Sequence, residues 1–457
     1  MNRTIVALSL AALACSASTH HAAAQAAYSS NELTDVRAGD SVRMPGEEQR
    51  RAALLRDSRV VHLSGEGETP SRDSVQSMLA RFYLDQFRNS QDPEAPYFTF
   101  MSKDANLAMG IGGVLNVTGW FDWNGMISGA DFNPYRISMP RTPEDMRNLS
   151  ASLSGTSLFI NIMGRRSPVG DFRAYIEGGF VGYGGMDFTL KKAYIQIQDF
   201  TIGYANTTFS DPAAQPNVLN PVGANGKVDK ANVLVRYMHT WRNRWSVAGS
   251  VEFPSSHQQQ ADGFTRKVRD YVPDVAALGQ YAWDRGLSHV RVAAIVRDMA
   301  YTDVEAGCRR HVVGWGVHLS TVVHAGPVVK LYGLGSVGRG IASYTADLWH
   351  GDYDLLPDPD HAGRLYAPRT IGGTLGAKFQ IHPRLSTTLC AATLRNLTEG
   401  TPSAGTYKYG QFLSANVIYY IMPRLQLGLE YLAGKRVNCD GEKGNVNRLQ
   451  ASAIFSF

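Results

Sequence analysis

The sequence predicts an all-β fold, a transmembrane antiparallel β-barrel of about sixteen strands preceded by a short N-terminal periplasmic helical segment. Three observations predict it. Apolar residues alternate with small or polar residues along many short segments, and tight turns alternate with long polar connections between those segments. Only 19% of the 457 residues are charged, fewer than the roughly 25% of an ordinary soluble domain.

The alternation has a period of two residues, which is the period of a strand. Between Leu425 and Tyr431 every second residue is large and apolar, whereas Gln426, Gly428 and Glu430 lie between them. A strand places these two sets on opposite faces, and a helix does not. The same alternation recurs at residues 245–253, 290–297 and 449–457. A soluble sandwich or barrel also alternates, so this pattern leaves that alternative open.

The lengths of the connections favour a membrane barrel. Tight links lie at residues 242–244, 284–286, 325–327, 382–384 and 422–424, and long polar connections at 254–272, 299–310, 339–368, 395–409 and 434–446. Short periplasmic turns at one rim and long loops at the other produce this alternation. The strands are predicted to start near Asn106, Ser157, Gly170, Met186, Asp199, Asp229, Asn243, Pro273, Leu287, His311, Gly326, Arg369, Arg384, Gly410, Pro423 and Val446. Phe457 is the aromatic terminal residue typical of outer-membrane barrels.

The chain divides into three predicted parts, a signal peptide at residues 1–24, a polar N-terminal periplasmic segment at 25–104 and the barrel at 105–457. The first part has a basic start at Arg3, an apolar run and a small-residue end, which indicates a cleaved export signal. Cys15 leaves a lipoprotein interpretation open. Within the second part we expect a helix near 71–90, because residues such as Val75 and Met78 follow helical spacing.

Charge, hydropathy and cysteine content exclude several classes of protein. The chain has 45 Lys and Arg against 40 Asp and Glu, and its basic residues are spread out, whereas a nucleic-acid surface needs them on one face. No segment after the signal peptide is long and apolar enough for a membrane-spanning helix. Cys308, Cys390 and Cys439 remain after cleavage, an odd number that argues against a disulfide framework but leaves one bridge, Cys308 to Cys439, open.

Charged residues fall mainly on one face of the predicted strands. An Arg or Lys facing lipid at the midplane costs roughly 2–4 kcal/mol, so a bilayer explains an outward face almost without charge. By parity the inward, pore-lining face carries Arg173, Glu177, Arg236, Glu252, Arg291, Arg297, Lys330, Lys378, Glu430 and Arg448. Because a barrel of this size is filled with water, we expect these mostly basic side chains to be hydrated and to favour anions. Pairing among them across neighbouring strands is the alternative.

The third long connection, residues 206–228, is rich in proline and glycine, which favour a fixed irregular path. We expect this loop to fold inward and narrow the channel. The candidate constriction residues are Asp211, Asn217, Asn220, Asn225 and Lys227, and exposure to solvent outside the channel is the alternative for each.

Three other motifs carry weaker signals. The glycines of 333–338 have the spacing of a dinucleotide fingerprint, but they lie along a predicted strand and not at a strand-to-helix turn. Four aspartates and His361 crowd residues 352–361, where calcium binding and a solvated acidic loop are the two interpretations. His318 and Ser320 share an inward face, as a barrel hydrolase requires, but no carboxylate partner is identifiable. We therefore expect no catalytic site, metal or cofactor.

Aromatic residues near the predicted strand ends suggest the interfacial girdles of a membrane barrel. They are Trp120, Trp123, Trp241, Trp245, Tyr419, Tyr420 and Tyr431. Ordinary strand aromatics are the alternative.

Three further segments are informative: Leu115-Asn116-Val117-Thr118-Gly119-Trp120-Phe121-Asp122, Leu190-Lys191-Lys192-Ala193-Tyr194 and the run from Ile202 to Asp211. In these segments the sequence resembles the DcaP-like family of outer-membrane porins. The resemblance covers about residues 105–457. It implies a sixteen-stranded barrel, a homotrimer, an N-terminal periplasmic helical segment and passive uptake of small, often anionic, solutes.

The sequence and the resemblance together predict a porin in the outer membrane of a Gram-negative bacterium. Its partners would be outer-membrane lipid and small hydrophilic, mainly anionic, solutes, with no nucleic acid and no enzymatic reaction. Two other classes stay open. One is a surface barrel that acts in adhesion or as a receptor, and the other is an outer-membrane hydrolase. If Arg291 and Arg297 set the anion preference, neutral replacements should lower it.

Overall fold

The computed structural model describes residues 59–62, 75, 78, 96–104, 106–168, 170–242, 244–349, 351–400 and 402–457. The predicted signal peptide, Cys15 and most of the predicted helix lie outside the described residues. Of that helix only Val75 and Met78 are described, and both are helical. Among the described residues, no helix combines the length and apolarity needed to cross a membrane.

The described chain is almost entirely strand and loop. Its strands are β1 (Arg59–His62), β2 (Phe98–Met101), β3 (Leu107–Trp123), β4 (Arg147–Ser152), β5 (Ser157–Ser167), β6 (Gly170–Val181), β7 (Asp187–Ile197), β8 (Phe200–Asn206), β9 (Ala231–Trp241), β10 (Trp245–Glu252), β11 (Thr265–Lys267), β12 (Asp274–Trp283), β13 (Ser288–Asp303), β14 (Cys308–Ala325), β15 (Val329–Arg339), β16 (Leu356–Pro357), β17 (Leu365–Tyr366), β18 (Arg369–His382), β19 (Leu385–Leu397), β20 (Tyr407–Met422), β21 (Leu425–Asn438) and β22 (Lys443–Ser456). Short 3-10 helices lie at Pro134–Arg136, Pro143–Met146, Tyr183–Gly185, Pro212–Ala214, Asp284–Gly286 and Ala342–Tyr344.

Sixteen antiparallel wall strands form one closed barrel. They are β3, β4 with β5, β6 to β10, β12 to β15 and β18 to β22. The barrel closes where β22 pairs with β3, from Asn447 opposite Trp123 to Ser456 opposite Val114. Closure leaves no open sheet edge in the wall, so the backbone hydrogen bonds of each strand are satisfied by two neighbours. The predicted sixteen-stranded antiparallel barrel is confirmed.

The second wall strand begins earlier than its predicted start at Ser157. Both β4 and β5 pair with β3, and residues 153–156 interrupt them. Residues 153–156 bend towards the barrel interior, where the inward side-chain amide of Asn116 donates a hydrogen bond to the Ser154 carbonyl oxygen (2.8 Å). The alternation predicted β5 alone because β4 offers only Leu149 as a large apolar residue.

Eight connections lie at one rim, here called the long-loop rim. They are L1 (124–146), L2 (182–186), L3 (207–230), L4 (253–273), L5 (304–307), L6 (340–368), L7 (398–406) and L8 (439–442). The other rim, the short-turn rim, carries tight links. L5 and L8 contradict the predicted long connections, because their flanking strands continue the alternation as far as Asp303 and Asn438.

The outside of the barrel is apolar over its middle. Leu375, for example, is 69% exposed on β18, and large aliphatic side chains repeat this around the wall. The outward contact between His239 Nδ1 and Asp199 (2.7 Å) lies at the short-turn rim, and that between His311 Nδ1 and Asp298 (2.7 Å) lies towards the long-loop rim. Polar side chains therefore flank the apolar belt.

The aromatic residues expected in interfacial girdles divide between the two faces. Trp241, Trp245, Tyr419 and Tyr431 are exposed on the outside. Trp120 is only 4% exposed, because its strand parity points it inward under Arg448. Its predicted place in an outer girdle is therefore wrong.

Much of the barrel interior is a packed core formed by loops. Phe209 and Val228 of L3 cluster with Ile341 and Tyr344 of L6 against inward side chains of β9, β10, β12 and β13. Phe132 of L1 belongs to a second cluster against β19, β20, β21 and β22. Three loops thus fold into the barrel, whereas the sequence led us to expect only one.

The short-turn rim carries an extension of the sheet. Residues 108–111 of β3 overhang β22 and pair with β2, and β1 pairs in parallel with β2. The helical residue Met78 packs with Met101, Ala108 and Met163 at this rim. The described part of the N-terminal segment is therefore joined to the first strand of the barrel.

Candidate luminal site

L3 is fixed to the barrel wall at its start by a buried carboxylate. Asp211 accepts hydrogen bonds from Ser320 Oγ (2.6 Å) and contacts His289 Nε2 (2.7 Å), and Arg291 Nη1 lies 3.2 Å away. It also caps the short helix after it by accepting from the Ala213 backbone N–H (3.1 Å). Burial alone would raise the pKa of Asp211, but Arg291 and His289 outweigh burial and hold that pKa well below its usual value.

A second carboxylate holds the middle of L3. Glu430 on β21 accepts from the backbone N–H groups of Leu219 and Asn220, both at 3.0 Å, and from Ser414 Oγ at 2.6 Å. The wall has glycine where L3 comes closest, because a Cβ at Gly428 would strike Leu219.

L1, L3 and L6 meet at Asp347, in the middle of L6. Its carboxylate accepts from the Asn225 side-chain amide and from the Gly226 backbone N–H (2.7 Å), both in L3. Asn133 of L1 donates its amide to the carbonyl oxygens of Ala346 and Asp347, both at 3.1 Å. Burial raises the pKa of Asp347 to about 6, despite these donors.

This junction gives a pH prediction. The pKa of Asp347 in the folded chain exceeds the ordinary 3.8, so the folded state favours the protonated acid and stability falls as the pH rises from about 4 to about 6. Lowering the pH from 7 to 5 should stabilise the wild type by about 1 kcal/mol more than the D347N variant. Melting temperatures of both proteins in detergent micelles at the two pH values measure the difference. An identical pH response in the variant would contradict this assignment.

L6 is held by a buried arginine. Arg297 on β13 contacts Asp274 (3.0 Å) and Asp354 (3.3 Å), and it lies over the Tyr344 ring at 4.8 Å. The Tyr344 hydroxyl donates to Asp274 at 2.8 Å. Arg297 is therefore neutralised inside a network.

The structure places all ten predicted pore-lining residues on the inward face but buries nine of them. Arg173, Arg236, Glu252, Arg291, Arg297, Lys330, Lys378, Glu430 and Arg448 are each less than 9% exposed. Arg448 forms two hydrogen bonds to Asp122 (2.6 and 2.9 Å), and Glu252 accepts from Thr207 (2.9 Å). The expected hydration of these nine side chains is wrong. For Glu252, Arg291, Arg297, Glu430 and Arg448, groups of the inward-folded loops take the place of the water that parity alone assigns to the lumen.

The predicted constriction residues lie inside the barrel with L3. Asp211, Asn220, Asn225 and Lys227 are buried, and Asn217 is partly exposed. Lys227 Nζ donates to Asp229 (2.6 Å) and to Gln215 (2.9 Å). Four of the five candidates therefore fix the loop, whereas only Asn217 faces solvent.

Solvent reaches the inner wall mainly at β6 and β7. The inward side chains Tyr175, Glu177, Lys192, Tyr194 and Gln196 are all partly exposed. In the ring of wall strands, this surface lies opposite β15 and β18, against which L3 packs. We call this partly exposed surface the open wall.

Charges on the open wall form a small group. Glu177 lies 3.7 Å from Lys192 and 4.0 Å from Lys191, and its side chain is 15% exposed. A register shift between Glu177 and Gly178 lets two consecutive lysines approach the same carboxylate. The sequence-based prediction included Glu177 but neither lysine. The bulge interrupts the period of two at Lys191, whereas Lys192 has the inward parity of Tyr194 and Gln196.

L3 has an exposed side as well as a packed side. Its partly exposed residues are Gln215, Asn217, Val218, Pro221, Val222, Gly223, Asp229 and Lys230. Ala214, in contrast, is buried with Val322, Tyr332 and Leu334 of the wall. The loop thus covers one side of the interior, and its exposed residues include amides, small apolar groups and, near its end, the carboxylate of Asp229.

The catalytic, metal-binding, dinucleotide-binding and disulfide sites considered from the sequence do not form in the described residues. Ser320 donates to Asp211, and His318 lies against the Phe209 ring, so neither forms a nucleophile and base pair with the other. No cluster of metal-ligating groups occurs in the described ranges, and the glycines of 333–338 lie within β15. Cys308 and Cys439 are free thiols, so the bridge left open by the sequence is absent.

No family model and no curated protein matches the sequence. Among solved structures, the chain is similar to the outer membrane channel DcaP of Acinetobacter baumannii, with 20% identity, a TM-score of 0.67 and coverage of 78% of this chain and 99% of that chain. It also matches a loop L8 deletion mutant of OmpT of Vibrio cholerae, with 9% identity, a TM-score of 0.48 and coverage of 77% and 100%. OmpF of Salmonella typhi in complex with daunomycin matches with 10% identity, a TM-score of 0.47 and coverage of 77% and 98%. The resemblance read from the sequence is thereby confirmed at the level of structure: this chain has the fold of the DcaP outer membrane channel.

Proposed function

We propose that the protein is a porin through which small hydrophilic solutes diffuse across the outer membrane of a Gram-negative bacterium. One observation carries the proposal: L3 packs on one half of the inner wall and leaves the open wall in contact with solvent. A loop that narrows an aqueous path without filling it suits a diffusion channel. Lipid would cover the apolar belt, and the short-turn rim with the N-terminal segment would face the periplasm.

Conductance tests this proposal directly. Purified full-length protein in planar bilayers should give stable steps of ion current. Absence of conductance in correctly folded protein would instead favour the adhesion or receptor alternative, for which the extensive loop packing would serve to close the barrel.

We propose that the passage prefers anions and that Lys191 and Lys192 carry the preference. The open wall presents these two cations with Glu177 as their acidic neighbour, whereas Arg291 and Arg297 are buried with carboxylates. Charge on a narrow passage controls which ions enter it. The relevant basic residues thus differ from those that parity alone indicated.

A double K191Q/K192Q variant should lower the anion-over-cation permeability ratio by roughly twofold or more. Reversal potentials in a KCl gradient measure this ratio. The control is K267Q, an exposed lysine of β11 where this short strand pairs with β13 at the long-loop rim, and it should leave the ratio unchanged. An unaltered reversal potential in the double variant would refute the assignment to these two lysines.

We propose a homotrimer in which a part of the apolar belt is buried between subunits. The resemblance to DcaP-like porins and the many exposed apolar side chains support this assembly. The mass of the native particle in detergent distinguishes a trimer from a monomer.

A further inference from the structure

The open wall carries a strip of three aromatic rings on neighbouring strands. Phe159 of β5 lies 5.9 Å from Tyr175 of β6, centroid to centroid, with 24° between the ring planes. Tyr175 lies 5.4 Å from Tyr194 of β7, with 31° between the planes. The register points all three side chains inward. Tyr175 and Tyr194 are partly exposed, whereas Phe159 is only 7% exposed and supports the Tyr175 ring from the side. The strip therefore crosses the wall on the side of the lumen that L3 leaves open.

Polar groups of both kinds border this strip. Glu177 accepts a hydrogen bond from the Tyr175 hydroxyl (3.0 Å) and lies beside Lys192. Gln196 is inward and partly exposed on β7. Asn161, directly opposite Tyr175, is buried, and its Oδ1 has no hydrogen-bond partner among the described residues. The strip thus combines ring surfaces, donors and acceptors, including an acceptor that the protein leaves unused.

The combination matches the chemistry of a sugar. A pyranose has C–H faces that pack on aromatic rings and a rim of hydroxyls that both donate and accept hydrogen bonds. A simple anion would use the two ammonium groups alone and would leave the rings, the carboxylate and the amides without a role. Neutral sugars use the rings, the carboxylate, the ammonium group and the amides together.

We propose that Tyr175 and Tyr194, supported by the buried ring of Phe159, form with Glu177 and Lys192 a weak binding track for neutral sugars inside the channel. The inference rests on the proposed porin function and names a solute class for the same passage. Weak binding is compatible with flux, because a solute must leave such a site as readily as it enters it.

The test uses maltotriose as the probe and wild-type protein in planar bilayers. Added maltotriose should reduce the ion current in a concentration-dependent manner. The Y175A/Y194A variant should raise the half-blocking concentration roughly tenfold, which corresponds to a loss of about 1.4 kcal/mol over the two ring contacts together. The Y175F/Y194F variant keeps the rings and should retain most of the block.

A matched control is Y237A, which removes a tyrosine exposed on the outer face of β9 and should leave the block unchanged. Ion current that maltotriose leaves unaffected, or equal block in wild type and Y175A/Y194A, would overturn the track while leaving the porin proposal intact. A wild-type barrel without conductance would overturn both.

Discussion

Replacing Asp211 with alanine is expected to release the start of L3 and raise single-channel conductance by roughly twofold or more. The change removes the acceptor of Ser320 and the counter-charge of Arg291, and it leaves that arginine buried beside His289. Breaking a buried ion pair in this way typically costs about 3–5 kcal/mol. The loop relieves this cost by leaving the wall, which widens the passage.

Single-channel recordings of D211A in planar bilayers measure the effect. D262A, at an exposed acid in L4, is the control and should conduct like the wild type. Accelerated hydrogen exchange in residues 207–230 of D211A would identify L3 as the segment released. A folded D211A barrel with wild-type conductance and wild-type exchange would contradict the role of Asp211 as the loop anchor.

Replacing Arg448 with methionine is expected to cause the largest loss of stability. Arg448 is fully buried, forms two hydrogen bonds to Asp122 (2.6 and 2.9 Å) and donates to the Ala130 carbonyl oxygen of L1 (2.8 Å). Its removal leaves a buried carboxylate without its cation, at a cost of about 3–5 kcal/mol. The pair also joins β22 to β3, so its loss weakens the closure of the barrel.

Urea-induced unfolding in detergent compares the free energies of the variants. The double variant D122N/R448M removes both charges and should regain at least about half of the loss, because no uncompensated ion remains. If R448M unfolds like the wild type, the ion pair does not support closure.

Strand positions were predictable because the period of two is a local property of the sequence. Leu425 to Tyr431 alternates without reference to any other part of the chain, and β21 begins at Leu425. The inward direction of Arg291, Arg297 and Arg448 followed from the same parity. What these arginines touch did not follow, because their carboxylate partners lie on other strands and on loops.

The packed interior required contacts between residues far apart in the chain. Asp347 meets Asn225 and Asn133 of two other loops, and no local pattern indicates those meetings. One sequence signal was available, since glycine at the inward position Gly428 marks a place where L3 comes close to the wall. The bulge beside Glu177 concealed the inward direction of Lys191, whereas that of Lys192 follows from the same parity as Tyr194.

The sheet extension at the short-turn rim has a mechanical consequence. β1 is linked to β2 by a parallel ladder from Arg59 to His62, and β2 is linked to the overhang of β3, the strand that also seals the barrel against β22. A force applied to the chain at Arg59 is therefore transmitted through the backbone hydrogen bonds of β1, β2 and β3 to the β3–β22 pairing that closes the barrel. Any structure that binds the N-terminal segment is therefore mechanically coupled to the closure of the barrel.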